Sequence, residues 1–115
     1  MELRLVYEQL QGDYDDVIGR LLTEDRVKKY LFKFMDSPTM SLLLEALEKE
    51  DFEVAFRESH NLKGISANLG LSKLYTSSSE LTESLRHGKP SEDISGLIEA
   101  VKCDYELTIN ALKNI

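Results

Sequence analysis

The sequence predicts an all-α protein, an antiparallel four-helix bundle with additional short N-terminal helices packing over it. Three observations lead to this prediction. Apolar residues recur at helical spacing along nearly the whole 115-residue chain, no segment shows sustained strand-type alternation, and breaks rich in Gly, Pro, Asp and Ser recur at short intervals. Amphipathic helices that are joined by short turns pack most readily as antiparallel neighbours.

The N-terminal part of the chain is predicted to form short helices. Gly12 and Asp13 separate an opening helix from the next one, and Thr23 is a candidate N-cap because its hydroxyl can accept a hydrogen bond from a free backbone amide. We interpret residues 1–22 as a helical extension and about 24–115 as the bundle, within one domain that spans the whole chain. The stripe expected to pack over one end of the bundle consists of Val27, Tyr30, Leu31 and Phe34.

Four longer segments are predicted to close the bundle core. Pro38 suits the first turn of the first segment, Asp51 can cap the second, Gly70 can end the second and Ser72 can cap the third. The apolar stripes of the four segments span 40–47, 55–69, 74–85 and 94–112.

The last helix carries the longest stripe. It follows the loop at 87–93, and Pro90 and Ser91 are expected to open it. Its apolar positions then recur from Ile94 to Leu112, over about five turns. Because four such stripes can close a core within one chain, we expect a monomer.

Composition excludes several classes of function. The formal net charge of −7 argues against a general nucleic-acid binder, since phosphate contacts need clustered Lys and Arg. No apolar run approaches the ~20 residues that span a bilayer, and the single cysteine, Cys103, fits a reducing compartment. The chain has no cluster of residues at metal-ligand spacing. We therefore expect a cytoplasmic protein that binds no nucleic acid, membrane, metal or cofactor.

His60 is predicted to point to solvent from the second bundle helix. Successive helical side chains advance by about 100°, so Lys63 and Gly64 flank His60 on either side. A mid-helix glycine costs ~1 kcal/mol relative to alanine, which indicates that another group must come close there. The opposite face of this helix, which a bundle would bury, carries Ala55, Leu62, Ser66 and Leu69.

The segment His60-Asn61-Leu62-Lys63-Gly64 continues with Ser66, Ala67, Leu69 and Gly70. This pattern resembles the phosphoacceptor signature of histidine-containing phosphotransfer (HPt) domains, the relay modules of multistep two-component signalling. The similarity runs from about Val27 to the C-terminus. It implies a four-helix bundle and a stand-alone phosphorelay intermediate. Such a carrier has no ATP-binding or kinase domain and exchanges phosphoryl groups with response-regulator receiver domains or a hybrid histidine kinase.

The resemblance also implies roles for individual residues. His60 would be the phosphoacceptor, through Nε2, with Lys63 balancing the charge of the phosphoryl group and Gly64 leaving room for the partner. Some family members carry a glutamine beside the phosphate on the following helix, and this chain has Thr82 at that position. The docking surface around the histidine would include Phe56, Arg57 and Ala67.

Three alternatives stay open at the level of sequence. A histidine-kinase dimerisation domain also displays a histidine on a helical bundle, but there an acidic residue typically follows it, whereas this chain has Asn61. A hydrolase or phosphatase would need a nucleophile beside a base, and no Ser/His/Asp or Cys/His arrangement supports one. The third alternative is a non-catalytic helical interaction module with an incidental surface histidine.

Overall fold

The computed structural model describes residues 2–115, and these residues form helices and no strands. The prediction of an all-α bundle is confirmed. No helix among the described residues combines the length and apolar character needed to cross a membrane. The seven helices found between residues 2 and 115 are α1 (Leu3–Gln9), α2 (Tyr14–Leu21), α3 (Glu24–Asp36), α4 (Thr39–Glu48), α5 (Phe52–Asn68), α6 (Ser72–Leu85) and α7 (Ser95–Leu112).

Two predicted N-caps are confirmed by their hydrogen bonds. The Thr23 hydroxyl accepts from the backbone amide of Arg26 at 3.2 Å, at the start of α3. The Asp51 carboxylate accepts from the amide of Val54 at 3.3 Å, at the start of α5. Each bond satisfies one of the amides that a helix N-terminus leaves without an intrahelical partner.

Two predicted helix starts were wrong. Ser72 is the first residue of α6 and not its cap, because Leu71 occupies the N-cap position without a side-chain bond. Pro90 and Ser91 lie in a loop, and α7 begins only at Ser95. The Asp93 carboxylate accepts a hydrogen bond from the Ser95 amide at 2.9 Å, which fixes the helix start beyond the proline.

The core forms where α5 packs between α4 and α6, with α7 packed against α6. The predicted inner face of α5 is buried at all four of its positions. One stripe residue behaves differently, because Tyr30 on α3 is 42% exposed while its stripe neighbours are buried. The Tyr30 ring lies instead beside Lys33, whose Nζ is 5.4 Å from the ring centroid, at the outer surface of α3.

Helices α1 and α2 attach to the C-terminal end of α5. The buried Tyr7 hydroxyl on α1 donates to the carbonyl oxygen of Leu69 at 2.6 Å, and burial raises the Tyr7 pKa above its ordinary value. Arg20 on α2 donates to the carbonyl oxygens of Ala67 and Asn68 at 2.9 and 2.6 Å. Three carbonyl groups at the C-terminal end of α5, which a helix end leaves without intrahelical partners, thus accept hydrogen bonds from the N-terminal helices.

Gly70 forms the turn between α5 and α6, as the sequence predicts. Its φ of +66° lies in the left-handed region, and its carbonyl oxygen accepts from the Asp13 amide at 2.9 Å. A Cβ atom at Gly70 would lie 2.7 Å from the Asp13 carbonyl oxygen. Both the backbone conformation and the close approach of the α1–α2 connection therefore require glycine.

We predict that Gly70→Ala lowers the free energy of unfolding by about 1–3 kcal/mol, through left-handed strain and the contact with Asp13. Gly19→Ala is the matched control, because a Cβ there meets nothing within 4 Å and Gly19 lies inside α2. That substitution should stabilise the protein by up to about 1 kcal/mol. Urea denaturation followed by circular dichroism measures both, and equal stability of the two variants would contradict the role of Gly70.

Candidate functional site

His60 lies near the middle of α5 and is exposed. Its neighbour Ser59 is fully buried, and so is Leu62, because these residues face α6 and the bundle core. The predicted orientation of His60 is confirmed, since a helix whose one face is buried in a bundle must present the opposite face to solvent.

The ring of Phe56, one turn before His60, stacks against the imidazole. The ring centroids are 6.1 Å apart and the planes differ by 18°. The Phe56 ring is half-buried, and the guanidinium carbon of Arg86 lies 5.4 Å from its centroid. Residues four apart on a helix are neighbours, so the Phe56–His60 contact is local, whereas Arg86 arrives from the end of α6.

Arg86 is a candidate site residue that the sequence interpretation missed. Ser59 on α5 contacts Thr82 on α6, and in an antiparallel pair this register brings the end of α6 to Phe56. The position of Arg86 beside Phe56 follows from the register of α6 on α5, and no local pattern in the sequence indicates that register.

Glu83 forms an ion pair with Arg86 on this surface. Its carboxylate accepts two hydrogen bonds from Arg86, at 2.6 Å from Nη2 and 3.1 Å from Nε. This hydrogen-bonded guanidinium holds the pKa of Glu83 below its ordinary value, and the charges of Lys63 and His87 act in the same direction. Among the described residues, the hydrogen-bonded partner of the Glu83 carboxylate is Arg86, whereas Lys63 and His87 act on it only through their charge.

Thr82 is fully buried between α5 and α6. Its hydroxyl lies 3.1 Å from the Ser59 hydroxyl and 2.6 Å from the carbonyl oxygen of Ser78. The side chain therefore holds the two helices together directly beneath the surface that carries His60. A role for Thr82 beside a phosphoryl group stays a prediction.

The remaining predicted site residues line the outer face of α5. Gly64, Arg57 and Ala67 are exposed, and Lys63 is half-buried. A Cβ atom at Gly64 would meet nothing within 4 Å, so packing within the chain does not require a glycine there. Among residues 2–115, no group of three or more His, Cys, Asp and Glu side chains is placed to hold a metal ion.

The comparisons with known proteins agree with this geometry. A family model described as "Hpt domain" matches residues 35–114, which is more than half of the chain. The matched segment contains α4 to α7 with His60, whereas α1, α2 and nearly all of α3 precede it. No curated protein and no solved structure gives a significant match.

Proposed function

Because the chain belongs to the Hpt domain family, whose members carry phosphoryl groups in two-component phosphorelays without kinase activity of their own, we propose that His60 is its phosphoacceptor. The chain accepts a phosphoryl group from the phospho-aspartate of a receiver domain, or from a hybrid histidine kinase, and passes it to another receiver. The observation that carries this proposal is the exposed imidazole on the outer face of α5, inside the matched segment.

The transfer step requires that the His60 imidazole is neutral and has one free lone pair. The Nε2 lone pair of His60 forms a P–N bond while the P–O bond to the receiver aspartate breaks, and the bonding electrons leave with the carboxylate. The proton on Nδ1 stays in place. The phosphorylated imidazole can return the group by the reverse step, in which the P–N bond breaks and a receiver carboxylate forms the new P–O bond.

The cations beside His60 balance the charge of the bound phosphoryl group. Lys63 follows His60 by about one helical turn on α5, and no ion pair within 4 Å engages its ammonium group among the described residues. Phosphoryl transfer depends mainly on positioning and on neutralisation of charge. The carboxylate and metal ion that complete the site belong to the receiver.

The docking face is proposed to centre on the imidazole. Phe56, Gly64 and Ala67 give it an apolar, low-relief centre, and Lys63 and Arg57 give it a charged rim. Transient interfaces commonly combine an apolar centre with a polar edge. The open space at Gly64 supports this proposal, because, apart from its chain neighbours and the adjoining backbone of α5, no atom of residues 2–115 lies within 4 Å of where a Cβ atom would be.

We predict that His60→Gln abolishes acceptance of phosphate, because it removes the nucleophile. His87→Gln is the matched control, since His87 is also exposed but lies in the loop after α6. Incubation with a phosphorylated receiver domain, followed by a test for acid-labile, base-stable phosphate, measures both. Unfolding free energies should change by less than about 0.5 kcal/mol. Label retained on the His60 variant would refute the assignment.

We predict that Gly64→Leu slows transfer by about tenfold or more, since a bulky side chain displaces the receiver from its reacting geometry. The variant should be as stable as the wild type or more so, because glycine is a poor helix former. Gly96→Leu is the control, as a Cβ at this α7 position also meets nothing within 4 Å. Transfer by the Gly64 variant at the wild-type rate would show that the face is not the docking site.

We predict that the protein is a monomer, because α4 to α7 close a four-helix core within one chain. A kinase dimerisation domain would instead need two helices from each of two chains. Light scattering across a range of micromolar concentrations should give the mass of one chain. A mass of two chains that does not fall on dilution would contradict the monomer and favour the kinase-type alternative.

A further inference from the structure

The surface next to His60 contains an anion whose role phosphoryl transfer does not explain. A site that binds a phosphoryl group gains from cations, yet the Glu83 carboxylate already engages one of them, Arg86. This carboxylate takes two hydrogen bonds from Arg86, and its electrostatic environment includes Lys63 and His87. Phe56 links this ion pair to the imidazole, because the Arg86 guanidinium carbon lies 5.4 Å from the centroid of the Phe56 ring and the centroid of the His60 ring lies 6.1 Å from the same point.

We propose that Glu83 is a built-in counterion that occupies Arg86 while His60 is unphosphorylated, and that the phosphoryl group on His60 competes with Glu83 for this guanidinium. The inference rests on the proposed function and assigns regulation to the same site. Glu83 thereby sets how strongly the chain retains its phosphoryl group. A relay intermediate must bind the group and also release it, and an internal competitor lowers retention.

The ion pair is suited to exchange because it is exposed. The side chains of Arg86 and Glu83 are 42% and 60% exposed, and exposed ion pairs contribute little net stability. The phosphoryl group presents more negative charge and three acceptor oxygens, so it is the stronger partner for a guanidinium. The pair spans one turn at the end of α6, and a change of side-chain rotamers can redirect Arg86 without moving the bundle.

The test compares the lifetime of the phosphohistidine in Glu83→Gln and in the wild type. Phosphoramidate serves as the phosphoryl donor and releases ammonia, so no receiver is required. Residue-resolved NMR identifies phosphorylation at His60 and follows its hydrolysis. We expect Glu83→Gln to lengthen the half-life by a factor of about 1.5 to 5. This factor corresponds to the typical strength of one exposed ion pair. The difference should shrink in 1 M salt, which screens exposed charges.

Glu80→Gln is the matched control, because it removes one exposed carboxylate from the same helix and Glu80 forms no ion pair within 4 Å among the described residues. Its half-life should equal that of the wild type. In the wild type, the Arg86 Nε–H signal should also move when His60 is phosphorylated. The proposal is overturned if Glu83→Gln behaves like Glu80→Gln, if it shortens the half-life, or if the Arg86 signal does not move.

The two proposals fail in different experiments. The relay function fails if a phosphorylated receiver does not label His60, whatever the lifetime of the chemically phosphorylated protein. The counterion role fails if Glu83→Gln does not lengthen the phosphohistidine half-life or if the Arg86 signal does not move on phosphorylation, even if receivers transfer phosphate normally.

Discussion

Carbonyl groups at the C-terminal end of α5 accept hydrogen bonds from residues that lie between 47 and 62 positions earlier in the chain. Tyr7 and Arg20 provide side-chain donors, and Asp13 provides a backbone amide to Gly70. The left-handed turn at Gly70 thus joins the end of α5, the start of α6 and the N-terminal helices in one set of hydrogen bonds. Because these donors precede residue 35, the matched Hpt segment alone does not contain them.

Helices α5 and α6 pack antiparallel to each other from the turn at Gly70, with small side chains between them. Ser59, Ser66, Ser78 and Thr82 are buried at this seam, and their hydroxyls are hydrogen-bonded within it. Small residues let two helices approach closely. The buried face of α5 therefore packs directly against α6, while its exposed face carries His60. The packing of α5 against α6 therefore buries the small polar side chains on one face of α5 and leaves the imidazole exposed on the other.

The sequence predicted the helical elements well where the signal was local. The caps at Thr23 and Asp51 depend on residues within one turn, and the turn at Gly70 depends on a conformation that glycine adopts easily. The start of α7 was predicted too early, because Pro90 permits a helix start but does not enforce one. Tyr30 fits the apolar periodicity of α3. The apolar stripe is wider than the face of α3 that is buried, however, so Tyr30 at its edge stays exposed.

The sequence by itself determined which way His60 points and that Phe56 lies beside it, since helical spacing alone places residues within a turn or two of each other. Only the tertiary structure decided which residues of α6 lie near His60. The register of α6 on α5 buries Thr82, brings Arg86 onto Phe56 and places Glu83 within electrostatic reach of Lys63. That register follows from side-chain packing between helices and from the turn at Gly70, and neither is a property of any local stretch of sequence.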